Sequence, residues 1–370
     1  MILAKKIRLY PTEEQKQKLW QSVGTARFIY NWTLNRQEEN YKNGGNFIKD
    51  NDLRKEITQL KKEKLSWLNE VSNNVAKQAV KDACNAYKNF FKGLADKPKF
   101  KSRKKSKPSF YNDTSKLKAK EKSVLIEKVG WVKTKEQVPM GVKYTNPRIS
   151  YDNKYWYLSV GIEVEMPVVK LTGESLGIDV GVKDLAICSN GMTFRNINKS
   201  KEVRRLKKSL KRKQRQCSRK YEKNKIGKEY VKTKNIAKLE KQIRLLHRKL
   251  ANIRSNHIHQ ATNKIVKAKP SRVVMETLNI KGMMKNRHLA KAIQQQGLYD
   301  FKVKMKYKCA FYGIEFVEAD KWFPSSKICS CCGNIKKDLK LKDRVYKCNC
   351  GLSIDRDLNA SINLSRYKLA

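Results

Sequence analysis

The chain has 370 residues, 84 Lys and Arg against 34 Asp and Glu, and a formal net charge of +50. A charge so one-sided repels itself unless a polyanion neutralises it, so the composition points to nucleic acid as a standing partner. No apolar stretch approaches the ~18 residues of a membrane span, and residues 1–15 lack a signal-peptide core, which predicts a cytoplasmic, nucleoid-associated protein of a prokaryotic cell.

At this length the chain passes the ~250–300 residues at which one core stops growing, so two or three modules are expected. Residues 1–10 alternate apolar and basic, which predicts a strand ended by Pro11. Thr12 with Gln15 three residues on is a capping-box signature, and Leu19, Val23, Ala26 and Tyr30 follow at helical spacing. Further helices are expected over 53–65 and from a Ser72 cap through Val75, Ala79, Ala83, Ala86 and Phe90, making 12–95 helical. Residues 95–122 are lysine-rich with Phe100, Phe110 and Tyr111 interleaved, the texture of a segment that follows phosphates while stacking on bases. Strand-like runs then fill 124–165, with a turn at Asp152 and Asn153. Joined to the first strand, they predict a small closed barrel with the helical segment inserted into it.

After a linker at 166–174, residues 175–194 predict a β-hairpin carrying Asp179 in its first strand, with a turn at Gly181. Residues 201–265 interrupt the pattern. Val203, Leu206 and Leu210 begin one amphipathic helix, and Ile236, Leu239, Ile243, Leu246, Leu250 and Ile253 form an a/d seam, so a helical hairpin is expected. Residues 201–250 hold 21 Lys and Arg against 4 acids, better explained by a bound phosphate backbone than by a solvated face. Val273 and Val274 then lead into Glu276.

Near the C-terminus, Cys329 and Cys332 precede Cys348 and Cys350 by a fifteen-residue gap, which suits a structural four-thiolate Zn²⁺ site. Cys331 is the odd thiol, and Cys84, Cys188, Cys217 and Cys309 read as core. The acids Asp355 and Asp357 follow at a helix start, where the zinc knuckle would fix a carboxylate. Asp184 and Asp320 read as surface residues, and His257 and His259 as packing or RNA contacts. An Asp in a first hairpin, a Glu after a central strand and an Asp at a late helix make the order a two-metal phosphodiester nuclease needs, with two ions about 4 Å apart bridged by carboxylates.

The motifs GIDVGVKDLAI, VVMETLNIKGM, PSSKICSCCG, YKCNCG and DRDLNASINL resemble, in order, the RuvC-type nuclease domain of the TnpB family, RNA-guided nucleases of transposons related to type V CRISPR effectors. KIRLYPTEEQ, ARFIYNWTLN and KPKFKSRKK resemble that family's N-terminal half. The resemblance implies an α+β multidomain fold. A wedge-like barrel (1–11 and 96–165) would carry a helical recognition domain (12–95). An RNase H-like nuclease domain (166–324 and 352–370) would follow, with its helical hairpin at 201–265 and a zinc-binding insertion at 325–351. It selects Asp357 over Asp355, so Asp179, Glu276 and Asp357 would be the catalytic ligands of two Mg²⁺. It places Lys99, Phe100, Lys101 and Arg103 near the short duplex motif that licenses cleavage. The implied partners are a guide RNA from the transposon end and target DNA, double-stranded and displaced single-stranded, on a monomer holding one RNA. A nuclease-inactive, RNA-guided DNA-binding repressor is the alternative, and it predicts a missing carboxylate. A resolvase acting on branched DNA without RNA would leave the basic hairpin unexplained.

Overall fold

The computed structural model describes residues 1–340 and 343–368, so residues 341–342 and 369–370, the ends or parts of the segments expected at 325–351 and 352–370, lie outside it. The chain divides into two units at Glu165/Met166.

In the first unit, β1 (Ile2–Tyr10) buries Ile7 and Leu9, and Pro11, with no N–H to give, ends it. The capping box is present: Thr12 Oγ1 accepts the Gln15 N–H at 3.2 Å, and Gln15 Oε1 accepts the Thr12 N–H at 3.1 Å, opening α1 (Glu13–Lys42). Helices α2 (Asp50–Glu63) and α3 (Asn73–Phe91) follow, the latter capped by Ser72. Their apolar stripes meet α1 through Ile29, Leu53, Ile57, Ala76 and Val80. Six strands complete the unit: β2 (Ser109–Tyr111), β3 (Lys118–Lys120), β4 (Ser123–Ile126), β5 (Gly130–Thr134), β6 (Tyr144–Tyr151) and β7 (Trp156–Glu163). With β1 they form one antiparallel sheet in the order β2-β6-β7-β1-β5-β4-β3.

The sheet wraps a core to which both of its halves contribute, Phe110 and Ile149 from one and Val124, Ile126 and Val132 from the other. The expected closure is corrected here: β2 and β3 are the ends of the row, and among the described residues no ladder joins them. Each is three residues long and spends its ladder on one neighbour, β2 on β6 and β3 on β4; near that end of the sheet a side chain joins the two halves, the Asn112 carbonyl oxygen accepting the N–H of Glu127, just past β4, at 3.1 Å.

In the second unit, β8 (Ser175–Val180), β9 (Asp184–Cys188) and β10 (Thr193–Arg195) form the expected hairpin and a third strand. Helix α4 (Lys201–Lys223), the two-residue strands β11 (Lys225–Ile226) and β12 (Glu229–Tyr230), and helix α5 (Lys234–Lys267) make the helical hairpin. Its seam joins Val203, Leu206 and Leu210 to Ile243, Leu246, Leu250 and Ile253. Helix α5 continues beyond the hairpin, and Ile258, Ala261, Ile265 and Val266 of its second half pack in the core against the sheet. Next come β13 (Arg272–Glu276), α6 (Ile280–Met283), α7 (Ala290–Gln296), α8 (Leu298–Tyr312) and β14 (Glu315–Ala319). The short ladder of β15 (Val345–Lys347) and β16 (Ser353–Asp355) leads into α9 (Arg356–Ser365). The main sheet runs β10-β9-β8-β13-β14, with β8, β13 and β14 parallel and β9 antiparallel to both of its neighbours, β8 and β10.

Side chains alternate across a strand, so parity decides which face each residue meets. Leu176, Ile178 and Val180 of β8, with Val273 and Met275 of β13, face α5 and α8. Val274 of β13 and Val317 and Ala319 of β14 face the other way, onto Leu364 of α9. Gly177, Asp179 and Glu276 share that second parity and lie on the α9 side.

Candidate active site and cysteine cluster

Asp179 and Glu276 are register neighbours at the C-terminal ends of adjacent parallel strands, one step past the Ile178–Met275 pair. Burial drives the Asp179 carboxyl well above its ordinary range, and the charges of Glu276 and Asp357 push it further, with a hydrogen bond to Glu276 and a small opposing pull from Arg356. Glu276 is also raised by burial, opposed by its bonds to Asp179 and to the Val180 backbone N–H. The structure thus brings together all three acids selected from the sequence.

Helix α9 supplies the third. Asp355 is its N-cap, its Oδ1 accepting the N–H groups of Asp357 at 3.0 Å and Leu358 at 3.2 Å, which leaves Asp357 as the D-R-D acid acting on Asp179. Arg356 Nε lies 3.6 Å from Asp357 Oδ1, and Lys183 Nζ 3.8 Å from Asp355 Oδ2. The helix can lie this close because residue 177 is glycine: a Cβ there would stand 1.9 Å from Ser361 O and 2.4 Å from Ser365 N. The sequence reading missed that role, for which the only local signal is a glycine inside an apolar strand.

The Sγ atoms of Cys329, Cys332, Cys348 and Cys350 all lie within 4.8 Å of one another, with Cys329–Cys350 and Cys332–Cys348 separations of 3.6 Å. Tetrahedral ligands at a Zn–S length of ~2.3 Å would stand about 3.8 Å apart, so the quartet comes within about 1 Å of the edges a zinc site needs. Cys331 is exposed and outside the quartet. Among the described residues this is the one cluster of His, Cys, Asp and Glu already drawn to metal-ligating spacing, and the three carboxylates form a looser set. The donor set of that looser group still suits a hard cation: three crowded oxygen acids, partly buried, whose repulsion a divalent ion would relieve.

The two clusters are linked through α9. Asn359 Nδ2 donates to Ile328 O at 2.7 Å while its Oδ1 accepts the Ser330 N–H at 3.0 Å, so one buried amide grips the first cysteine knuckle. Asn363 Nδ2 donates to Ser325 O and Ile328 O, both at 2.7 Å, and Arg366 donates to Ser330 O. An N-x-x-x-N spacing on one helix face was the available sequence signal for this clamp.

In the first unit, Lys99, Phe100, Lys101 and Arg103 are all exposed. Lys101 is also tied to α1. Its backbone is paired with the Asn31 amide at 2.7 and 2.9 Å, its Nζ lies 3.5 Å from the Tyr30 ring centroid, and burial lowers its pKa. Among the described residues no helix is long and apolar enough to cross a membrane. His257 Nε2 lies 2.9 Å from Arg195 O, and the His259 carbonyl accepts from Lys308.

Three family models match. Residues 157–287 match one described as "Probable transposase", residues 299–364 the "Cas12f1-like, TNB domain", and residues 1–46 a "Helix-turn-helix domain", although those last residues fold here as one strand and one 30-residue helix. A "Putative RNA-guided DNA endonuclease" of Streptomyces pristinaespiralis is 30% identical, over 99% of this chain and 89% of its own length. "Putative RNA-guided DNA endonuclease InsQ" of Escherichia coli (strain K12) is 27% identical over 97% and 90%. A solved Cas12f1 chain, from the "Cas12f1-sgRNA-target DNA complex", superposes with a TM-score of 0.60 at 15% identity, covering 99% of this chain and 98% of that one. The fold is therefore the α+β fold of the Cas12f class, here with a four-cysteine cluster. The chain belongs to the TnpB family of transposon-associated proteins.

Proposed function

We propose that this protein is an RNA-guided DNA endonuclease of a transposable element, and that its nuclease centre is RuvC-like, with Asp179, Glu276 and Asp357 as the catalytic carboxylates. The observation that carries the reading is their convergence on one face of the second sheet, beside the N-terminus of α9. The names of the relatives and the Cas12f1 fold support it. The nuclease-inactive alternative expects a lost acid, and all three are present.

In this reading the three carboxylates hold two Mg²⁺, which when bound would activate water and stabilise the leaving oxygen. The protein's own contribution is positional. Adjacent strands fix Asp179 and Glu276, and the zinc-bound knuckle, through Asn359 and Asn363, fixes the helix bearing Asp357. The basic α4–α5 hairpin would grip a guide RNA by its phosphates. Residues 1–11 and 96–165 would form the wedge, with Lys99, Phe100, Lys101 and Arg103 exposed toward the licensing duplex and the Lys101 backbone bracing the segment on α1. Residues 12–95 would follow the growing heteroduplex, and base pairing would supply sequence.

The test is cleavage of a plasmid library by the ribonucleoprotein purified with RNA from the transposon end, in Mg²⁺. Wild type should cut next to a short fixed motif. Asp179→Ala should abolish cutting while RNA and DNA affinities stay within about twofold; a parallel loss of binding would refute this division of labour.

A further inference from the structure

The turn that follows β14 holds a side chain that neither the carboxylate cluster nor the cysteine quartet uses. Trp322 is 80% exposed, the largest side chain so displayed in this unit. It is not on a loose loop. Asp320 Oδ1 accepts the Trp322 N–H at 2.7 Å, Asp320 O accepts the Phe323 N–H at 3.1 Å, and the Tyr367 hydroxyl accepts the Asp320 N–H at 3.2 Å. The next residue, Phe323, is packed edge-on against Tyr367 with ring centroids 4.9 Å apart. The indole is therefore held out on a braced turn, at the cost of exposing a large apolar face to water.

Its position relative to the acids follows from register. Ala319, the last residue of β14, is paired with Glu276, and Thr277 Oγ1 donates to Ala319 O at 2.6 Å, tying the two strand ends together. A strand spacing of ~4.8 Å and at most ~3.6 Å per residue over three residues put the Trp322 Cα within about 16 Å of the Glu276 Cα. Lys321 Nζ lies over one face of the ring, 4.7 Å from its centroid. An exposed π surface with a mobile ammonium beside its own backbone matches a nucleotide, whose base offers a ring face and whose phosphate offers a negative charge that would draw the ammonium off the ring.

We propose that Trp322, with Lys321, is a stacking post for an unpaired base of the DNA strand presented to Asp179, Glu276 and Asp357. The proposal rests on the nuclease reading for its role but makes a separate claim about binding. Stacking is indifferent to base identity, so the post would hold the strand without adding sequence preference, which suits an enzyme whose sequence choice is made by RNA.

The experiment has two arms on the purified ribonucleoprotein. In the first, affinity for a fluorescein-labelled single-stranded oligodeoxynucleotide is compared with that for the same oligomer carrying abasic sites, in magnesium-free buffer. Wild type should prefer bases, Trp322→Ala should lose about 5- to 100-fold of affinity together with the preference, and Trp322→Tyr should recover most of both. In the second arm, target DNA is cut in Mg²⁺ with single abasic nucleotides stepped past the scission site. One or two positions should raise KM in wild type and not in Trp322→Ala, with kcat little changed. Equal base preference in wild type and Trp322→Ala overturns the proposal, as does the same abasic penalty in both. A wild type that binds as expected and cuts nothing removes the nuclease reading and leaves the post standing.

Discussion

Asp179 and Glu276 meet as two partly buried acids, and both carboxyls are raised above their ordinary values of 3.8 and 4.5. An acid raised in the fold keeps a proton that the unfolded chain has released, so between the two pKa values the folded state binds more protons. Stability then declines as pH rises through that window, the reverse of a salt-bridged carboxylate. In magnesium-free buffer the melting temperature should fall as pH climbs above about 4, and Mg²⁺ should restore it by taking the place of the proton. Asp179→Asn, which removes the charge and keeps the shape, should raise the magnesium-free melting temperature and flatten its slope with pH. A flat or rising wild-type profile would contradict the assignment of a crowded, cation-requiring centre. At this scale much of the site was legible in the sequence, because Asp179, Glu276 and the D-R-D pair stand at strand and helix ends that local patterning locates. What separates Asp355 from Asp357 in the fold is a capping bond, and Lys101 turns toward Tyr30; neither follows from residue type or spacing.

Between elements, the decisive contact is α9 lying across β8 at Gly177. An added Cβ would meet backbone atoms of Ser361 and Ser365, which no side-chain rotation can move aside. Gly177→Ala should therefore shift the helix and cost about 1–3 kcal/mol, while Gly173→Ala, with nothing within 4 Å of its Cβ, serves as the neutral control. The effect on cleavage should exceed the effect on stability, because a displacement of about 1 Å at Asp357 can reduce rate on the order of 100-fold. Melting temperature and single-turnover rate measured on the same samples check both halves. Asn359→Ala leaves the Ser330 N–H without its acceptor, while Ile328 O keeps Asn363 Nδ2, and should cost about 1–3 kcal/mol, with faster zinc loss to a chelator; zinc retention equal to wild type would mean the amide is not the clamp. The elements themselves announce their presence through signals a few residues long: the Thr12–Gln15 box, the Ser72 cap, the a/d seam and the cysteine spacing. The open edge of the first sheet, the run of α5 out of its hairpin into the core and the α9–β8 approach depend on partners far away in the chain. Local pattern carries no record of them.

Across the whole molecule, the charge of +50 must be answered by a partner, and its densest store lies on the α4–α5 hairpin. Arg204, Lys208, Lys211 and Arg215 recur at the spacing of one α4 face and are all exposed, while Val203, Leu206 and Leu210 occupy the seam. That separation lets the charge be altered without touching the packing. If the face grips single-stranded regions of RNA, each lost phosphate contact should lower the slope of log affinity against log salt by about 0.7, so replacing all four by Gln should lower it by about 3. Affinity should drop most at low salt and converge with wild type as salt rises, because counterion release rather than shape is what has been removed. Base-pairing specificity at the DNA target should stay as it was, since phosphate contacts hold without reading sequence. Filter binding of the transposon-end RNA over a salt series reads the slope directly. An unchanged slope would make this face a solvated one, and the charge would then have to be answered elsewhere in the chain.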